Sequence, residues 1–393
     1  MWRLSALMYG HFAGDAYMGF IPALLTLVAV RFGLSHTQLG ALGMVGALTA
    51  SFTQPLFGHL ADRRPALRFW AYGPLVCAVG VCLIGLAPTP VIVGCCLLLG
   101  GLGSAAFHPG SASAAAALGG KERGGLVMSL FSAGGIIGYA LGPWAATTLW
   151  ASLGPTRLWQ CVGVAALATV LLLVAGRGGA IGAMRAASQE DGPAVLSRTA
   201  LSVLFLIVTL RAATAISLGT FLPRLLEAQG ARHLIGPYML VLIGSGGIAG
   251  VFGGAISDRI GRQPVTAITL LLAGPALWAF FHIDAVPVLL LTISGIFLQG
   301  ALPVNIVHMQ ALMPGGKSLA ASLSMGVAWG LGGLANLAVG RLADVPSIGL
   351  AGALGFVVVL PVLAGALALL PAAGAGEAAR LAERRRAHHT PDE

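Results

Sequence analysis

Long apolar runs separated by short polar connections constrain the fold of this chain more than any other feature. Most of them reach the roughly 20 residues that an α-helix needs to cross a bilayer. We number them spans 1 to 12, at roughly 4–30, 37–61, 67–88, 90–118, 124–153, 157–175, 200–229, 234–257, 264–282, 286–313, 317–343 and 347–370. Charged residues make up only 9% of the chain, whereas soluble domains carry about a quarter. The pattern predicts an all-α membrane protein with twelve transmembrane helices.

The second half of the chain repeats features of the first. Gly19 and Pro22 in span 1 recur as Gly219 and Pro223 in span 7. The repeat predicts two pseudo-symmetric six-helix halves that face a central cavity, an architecture typical of transporters that work by alternating access. The predicted parts are the N-terminal half at 1–175, a cytoplasmic linker at 176–198, the C-terminal half at 199–371 and a cytoplasmic tail at 372–393.

Basic residues gather in every second connection. They are Arg3, Arg63, Arg64, Arg68, Lys121, Arg123, Arg177, Arg185, Arg198, Arg259, Arg262, Lys317, Arg380, Arg384, Arg385 and Arg386. The positive-inside rule then predicts that both termini are cytoplasmic, in a bacterial-type inner membrane. The net charge of +9 is thereby explained without nucleic acid. We expect a monomer whose partners are the bilayer, a small-molecule substrate and protons.

One short pattern, Gly-x-x-x-Asp-Arg, ends both span 2 and span 8. The first copy consists of Gly58, Asp62 and Arg63, and the second consists of Gly254, Asp258 and Arg259. Glycine lets two helices approach closely, and the aspartate can accept hydrogen bonds at a neighbouring helix N-terminus. The paired copies resemble the loop signature of the major facilitator superfamily of transporters. We expect them to form a conformational latch that stabilises the outward-facing state.

Ionisable residues within the spans are candidates for the working site, because a charge at bilayer depth is costly unless it faces a cavity or a partner. His11 and Asp15 lie one turn apart on span 1 and can share a proton. Arg211 lies near the middle of span 7 and is expected to neutralise either Asp15 or an anionic substrate. His108 precedes a proline in span 4 and is expected to line the cavity. Weaker candidates are Gln299, Asn305 and His308 in span 10.

Glycine and proline residues in span 5 form a more specific pattern. Gly138-x-x-x-Gly142-Pro143 resembles the signature of proton-coupled antiporters within the superfamily. The glycines permit tight helix contact, and the proline interrupts the regular hydrogen-bond ladder. The motif favours export over import.

A glycine-rich stretch in span 8 superficially resembles a phosphate-binding loop. No strand precedes it, and Gly246, Gly250 and Gly254 have the spacing of a helix-packing face. The chain also lacks a recognisable nucleophile–base set or metal-ligand cluster. We therefore expect neither an enzyme nor ATP hydrolysis, and no cofactor or metal site.

The sequence Phe107-His108-Pro109, together with His11-x-x-x-Asp15 in span 1 and Arg211 in span 7, resembles the fosmidomycin-resistance family of drug exporters. The resemblance implies a proton-driven exporter of small, often anionic compounds, with these ionisable residues near the translocation path. Two departures stand out. Members of that family commonly carry glutamate where this chain has Gly110 and Ala311, which leaves Asp15, with His11 or His108, as the titrating group.

Two other functions remain compatible with the sequence. One is a proton-coupled importer of an organic anion or sugar. The other is a non-transporting membrane receptor that retains the transporter fold, which the two missing glutamates would favour. The substrate and the coupling stoichiometry do not follow from the sequence.

Overall fold

The computed structural model describes residues 2–63, 69–176, 197–283, 285–313, 320 and 322–374, and all regular structure in this part is helical. In the first half the helices are Trp2–Phe32 (span 1), His36–Phe52 and Gln54–Arg63 (span 2), Phe69–Tyr72, Gly73–Leu83 and Ile84–Leu86 (span 3), Pro90–Leu153 (spans 4 and 5), and Pro155–Cys161 and Val162–Ala175 (span 6). The prediction of an all-α membrane protein is confirmed.

The second half continues in the same way. Its helices are Arg198–Ala228 (span 7), Arg232–Leu234 and Ile235–Ile260 (span 8), Arg262–His282 (span 9), Pro287–Gly300 and Leu302–Leu312 (span 10), Leu323–Val327 and Ala328–Ala343 (span 11), Gly349–Val357 and Val359–Ala368 (span 12), and a final short turn Pro371–Gly374. Most of the predicted linker and tail, with Arg64, Arg68 and Lys317, lies outside the described residues.

Ten of the described helical stretches are by themselves long and apolar enough to cross a membrane. Span 2 is not among them because its helix is interrupted between Phe52 and Gln54. Of the continuous helix Pro90–Leu153, the counted stretch is Pro90–Ala112 in span 4, so span 5 is not counted separately. The continuous helix is not straight, since the rings of Phe107 and Phe131 lie 6.4 Å apart, whereas a straight helix would separate them by about 36 Å. The chain reverses between these residues, so twelve crossings result.

Among the described residues, buried apolar side chains join the two halves at one end of the bundle and not at the other. We call this the loop end, where span 1 is joined to span 2; the opposite end, where span 1 begins, is the terminal end. One cluster at the loop end combines both halves, with Leu24 and Phe221 among its members. At the terminal end the halves have separate clusters, around Trp70 in the first and Leu204 in the second. The bundle is therefore closed at its loop end.

Spans 2 and 11 make the closest contact between the halves. A Cβ atom added to Gly40 would collide with the carbonyl oxygen of Asn336, and one added to Gly340 would collide with that of His36. Only glycine permits helices to cross at this distance. Spans 5 and 8 form the second crossing, where an added Cβ on Gly236 would lie 2.8 Å from the Cα atom of Trp144.

Asp344, which follows span 11, closes the loop end by capping span 2. Its carboxylate accepts hydrogen bonds from the backbone N–H groups of His36 and Thr37, each at 2.8 Å, and lies 2.9 Å from the His36 imidazole. Burial alone would raise the pKa of Asp344, but the hydrogen bonds from Thr37 and His36 hold the pKa of this carboxyl below its usual range. The carboxylate also meets the positive end of the helix dipole.

The glycine face predicted for span 8 is correct at two positions and wrong at the third. Added Cβ atoms on Gly246 and Gly250 would collide with Gln299 and approach Pro303, so these glycines pack against span 10. Gly254 has no described neighbour within 4 Å of such an atom. Span 8 still packs closely against span 10 at this level through Gly253, where an added Cβ would lie 2.5 Å from the carbonyl oxygen of Gly300, so Gly254 lies on a different side of the helix from that contact.

Candidate functional site

Asp15 lies between two imidazole rings in the first half. Its Oδ2 atom is 3.2 Å from Nε2 of His11, and its Oδ1 atom is 3.2 Å from Nε2 of His108. The helical spacing of four residues on span 1 positions the first pair, and the packing of span 4 against span 1 brings the second pair together. We call these three side chains the His–Asp–His cluster. The structure thus unites three of the residues singled out in the sequence.

The outer nitrogen of each imidazole faces a backbone carbonyl. Nδ1 of His11 is 2.8 Å from the oxygen of Phe131, and Nδ1 of His108 is 2.8 Å from the oxygen of Ser104. Because a carbonyl only accepts hydrogen bonds, both Nδ1 atoms carry a proton. Each contact from Nε2 to Asp15 then requires a further proton between nitrogen and oxygen.

The number of protons determines the net charge of the cluster and which of its contacts can form. With both contacts bridged, the cluster holds two shared protons and a net charge of +1, because the carboxylate contributes −1. Removing one shared proton leaves a nitrogen lone pair facing an oxygen lone pair, which breaks one contact. The cluster therefore couples proton loss to a change in side-chain position.

Aromatic rings and one glycine fix the cluster in place. The His11 ring stacks on Phe131 at 4.2 Å and lies 5.8 Å from Phe107. Gly135 of span 5 packs directly against the cluster, since an added Cβ would lie 2.6 Å from Oδ2 of Asp15 and closer still to His11. The side chains of Asp15 and His108 nevertheless retain 18% and 25% of their exposure. The cluster is thus held rigidly yet remains accessible.

The same three residues are the group that could hold a cation. One ligand atom from each of His11, Asp15 and His108 lies within 4.8 Å of the others. Shared protons alone account for all the observed contacts, since 3.2 Å separations between nitrogen and oxygen are hydrogen-bond distances at the long end of the range.

Arg211 occupies a separate site in the second half. It is fully buried, and its Nη1 group donates a 2.7 Å hydrogen bond to Oε1 of Gln299. The ring of Trp329 lies 5.2 Å from its Cζ atom. Its Nε and Nη2 groups have no hydrogen-bond partner among the described residues. Asp15 is not among its described ion-pair partners, so the expected neutralisation of Asp15 by Arg211 is absent in this conformation.

Of the weaker candidates in span 10, Asn305 and His308 are buried and Gln299 is partly buried. Asn305 accepts a 2.7 Å hydrogen bond from Thr266 at Oδ1, while its Nδ2 group has no partner within the described part of the chain. His308 is buried in the helix Leu302–Leu312. Of the three, Gln299 is the one whose contact with Arg211 is observed.

The two latch motifs can be followed only in part. Gly58 lies in ordinary contact with Pro109 of span 4, and Arg259 is exposed. Asp62 and Arg63 lie in the helix Gln54–Arg63, but their side chains, like that of Asp258, lie outside the described part of the chain. The latch stays a prediction.

The glycines of the span 5 motif face span 1. An added Cβ on Gly138 would collide with the carbonyl oxygen of Phe12, and one on Gly142 would lie 2.6 Å from that of Ala16. The helix continues through Pro143 to Leu153. The motif therefore packs within the first half, while neighbouring residues such as Ile136 face span 8, where an added Cβ on Gly247 would meet that side chain.

Three features of these sites were not predicted from the sequence. Gly135 forms the wall of the cluster, and Trp329 covers Arg211. In addition, Trp70 fills the space beside Gly110, where an added Cβ would lie 2.5 Å from its ring. A glutamate at position 110 would collide with that ring. Two sequence signals could have pointed to these roles. They are the paired glycines at 134 and 135 and the tryptophan that precedes Gly330.

Twelve membrane-spanning helices with ionisable groups held between them are typical of secondary transporters. The family model of the Major Facilitator Superfamily matches residues 7–335, and the chain belongs to that superfamily.

Two relatives match nearly the whole chain. An uncharacterised MFS-type transporter of Bacillus subtilis (strain 168), YfnC, is 28% identical over 92% of this chain and 90% of its own length. The fosmidomycin resistance protein of Escherichia coli (strain K12) is 29% identical over 88% of this chain and 87% of its own length.

Solved structures share the fold. A bacterial homologue of the human lysosomal transporter Spinster, in an inward-facing and unoccupied conformation, has a TM-score of 0.70 at 17% identity, with 94% of this chain and 96% of that chain covered. The nucleoside transporter NupG has a TM-score of 0.70 at 15% identity, with 94% and 100% covered. The fold and the relatives are those of transporters, and the chain is a multi-pass membrane protein.

Proposed function

We propose that this protein is a proton-coupled exporter of a small anionic organic compound, working by alternating access. The observation that carries the proposal is the separation of two charged sites. The His–Asp–His cluster lies in the first half, and the buried Arg211 lies in the second. When two halves rock against each other, such sites can load a proton and an anion on one side of the membrane and release them on the other.

The distribution of basic residues supports the orientation. It assigns the terminal end, with both chain termini, to the cytoplasm of a bacterial-type inner membrane. The closed loop end then faces outward, and the conformation described above is the one that receives cargo from the cytoplasm. The paired Asp-Arg motifs stabilise the opposite, outward-facing state.

The proton step uses the geometry of the cluster. A proton that enters from outside completes the second bridge on Asp15, and its release to the cytoplasm breaks that bridge. The carboxylate of Asp15 also acts electrostatically on two other described titratable groups, Tyr139 of span 5 and Cys77 of span 3. Since Gly110 and Ala311 replace the glutamates common in similar exporters, the cluster carries this step alone.

Arg211 supplies the anion site. A guanidinium stays charged throughout the physiological pH range, and two donor groups of Arg211 have no hydrogen-bond partner in the part of the chain that the structure describes. The relative that is named for fosmidomycin resistance and the Gly138-x-x-x-Gly142-Pro143 motif both favour export.

The test begins with a thermal-shift screen of small anionic compounds, phosphonates included, on the purified protein. Flux of each hit is then measured in proteoliposomes across an imposed pH gradient. Arg211→Gln is expected to abolish the thermal shift. Asp15→Asn is expected to retain the shift and to lose flux driven by the pH gradient. Undiminished flux in Asp15→Asn would remove the cluster from the mechanism.

The two alternative functions, an importer and a non-transporting receptor, predict different results in the same assay. A proton-coupled importer of an organic anion or sugar would carry the compound into right-side-out vesicles when the outside is acidified. A receptor would show the thermal shift without flux. The exporter instead moves the compound out of the cytoplasmic compartment as protons enter it.

A further inference from the structure

The free donors of Arg211 have a defined shape. Nη1 is occupied by Gln299, so the groups that have no hydrogen-bond partner among the described residues are Nε and Nη2. These two nitrogens form one edge of the guanidinium, with parallel N–H bonds. Such an edge pairs with two oxygen atoms of one carboxylate, phosphate or phosphonate group. An unpaired donor edge at a fully buried position is costly, so a ligand that supplies both oxygens would gain the most there.

Trp329 is the aromatic side chain in contact with this guanidinium. Its indole ring lies 5.2 Å from Cζ of Arg211 and is itself only partly buried. Because the guanidinium has no exposed surface, an oxyanion can reach Nε and Nη2 only after a covering side chain has moved. Movement of the partly exposed Trp329 ring would exchange its cation–π contact for two charge-assisted hydrogen bonds to the anion.

The backbone next to Trp329 is suited to such movement. The preceding turn, Leu323–Val327, is π-helical, and single π-turns within α-helices occur frequently at functional sites. Beyond the ring, span 11 is clamped, since an added Cβ on Gly332 would lie 2.7 Å from the backbone nitrogen of Ala213. Motion is thereby confined to the ring and the π-turn.

We propose that Trp329 is a lid over the Arg211 edge and that the cargo carries an oxyanion with two adjacent oxygen atoms, which binds to Nε and Nη2 when the lid moves. This inference rests on the proposed role of Arg211. It adds the chemical class of the cargo group and a residue that controls access to it.

The experiment measures binding of inorganic phosphate to purified protein by calorimetry, with tryptophan fluorescence as a second readout. Trp329→Ala is expected to bind phosphate about tenfold more tightly than the unmodified protein, because the anion no longer has to displace the ring. Trp329→Phe preserves an aromatic ring and should fall between the two. Trp278→Ala, which removes an exposed tryptophan of span 9, is the matched control and should bind like the unmodified protein.

Arg211→Gln separates the two claims. It is expected to abolish phosphate binding both alone and combined with Trp329→Ala. If phosphate binds to neither the unmodified protein nor Trp329→Ala, the anion site fails and the lid fails with it. If Trp329→Ala or Trp329→Phe binds more weakly than the unmodified protein, Arg211 remains an anion site and the lid is refuted. Binding that survives Arg211→Gln would locate phosphate elsewhere and would overturn the inference.

Discussion

Gly135 is the position where a single methyl group would disturb the proton site most. In Gly135→Ala the new Cβ would lie 2.6 Å from Oδ2 of Asp15 and closer still to Nε2 of His11. These distances are far below van der Waals contact, so at least one of the two side chains must move. The contact between His11 and Asp15 then breaks, while the contact between Asp15 and His108 remains within reach.

The magnitude follows from the interaction that is lost. A hydrogen bond to a charged group contributes about 1.5–3 kcal/mol, so a loss near 2 kcal/mol lowers the rate of proton-driven flux about thirtyfold. The fold itself is affected less. Overpacking costs about 1–3 kcal/mol, and the higher helix propensity of alanine offsets up to about 1 kcal/mol of that.

Gly163→Ala is the matched control. Gly163 lies in span 6, is exposed, and has no described neighbour within 4 Å of an added Cβ. The assay compares pH-driven flux of the anionic compound in proteoliposomes for the two variants, normalised to the amount of folded protein. Flux in Gly135→Ala within twofold of that in Gly163→Ala would show that proton transfer does not depend on the contact between His11 and Asp15.

Three further predictions concern the loop end and the driving force. Asp344→Ala removes the acceptor that span 11 supplies to the first N–H groups of span 2. Because this carboxylate is about 30% exposed, we expect the closed loop end to lose about 1 kcal/mol, measured as a wider distance distribution between spin labels on spans 2 and 11. The lowered pKa of Asp344 means that its stabilising effect is present above the ordinary aspartate pKa and is lost as pH falls through the lower value. The same distances should therefore not respond to the titration of Asp344 between pH 5 and pH 8; a shift in that window that remains in His36→Gln and is abolished by Asp344→Ala would contradict this. Export of a monoanion against one entering proton moves two positive charges inward. A potassium-diffusion potential of 100 mV should therefore contribute about 4.6 kcal/mol and drive flux without a pH gradient. Flux unaffected by the potential would exclude this stoichiometry.

The fold could be predicted from the sequence because its determinants are local. Hydrophobic length identifies a membrane helix regardless of its neighbours, and the predicted spans match the observed helices to within a few residues. The sequence predicts two separate helices for spans 4 and 5. The structure instead has helical backbone from Pro90 to Leu153, and this continuity was not predicted. The reversal after span 4 brings Phe107 and Phe131 together, a contact that depends on tertiary packing. The break in span 2 and the π-turn in span 11 likewise have no hydrophobic signature.

The site could be predicted only as far as spacing carries information. His11 and Asp15 share a helix, so their contact follows from helical geometry, whereas the contact of Asp15 with His108 depends on how spans 1 and 4 cross. Arg211 was correctly identified as an interior charge, yet its partner proved to be Gln299 rather than Asp15. Pairings between distant helices require tertiary packing, which one sequence does not reveal.

The contact between Trp70 and Gly110 is another pairing that one sequence does not reveal. The absence of a glutamate at position 110 was evident from the sequence, whereas the Trp70 ring that fills the space beside Gly110 is evident only from the structure.

Proton movement itself provides the decisive measurement. Proteoliposomes that enclose a pH-sensitive dye are given an outward gradient of the anionic compound, with the membrane potential clamped. The unmodified protein is expected to carry protons inward as the compound leaves, so the lumen acidifies, and Asp15→Asn is expected to show no such change. Equal acidification in both proteins would mean that the His–Asp–His cluster does not carry the transported proton.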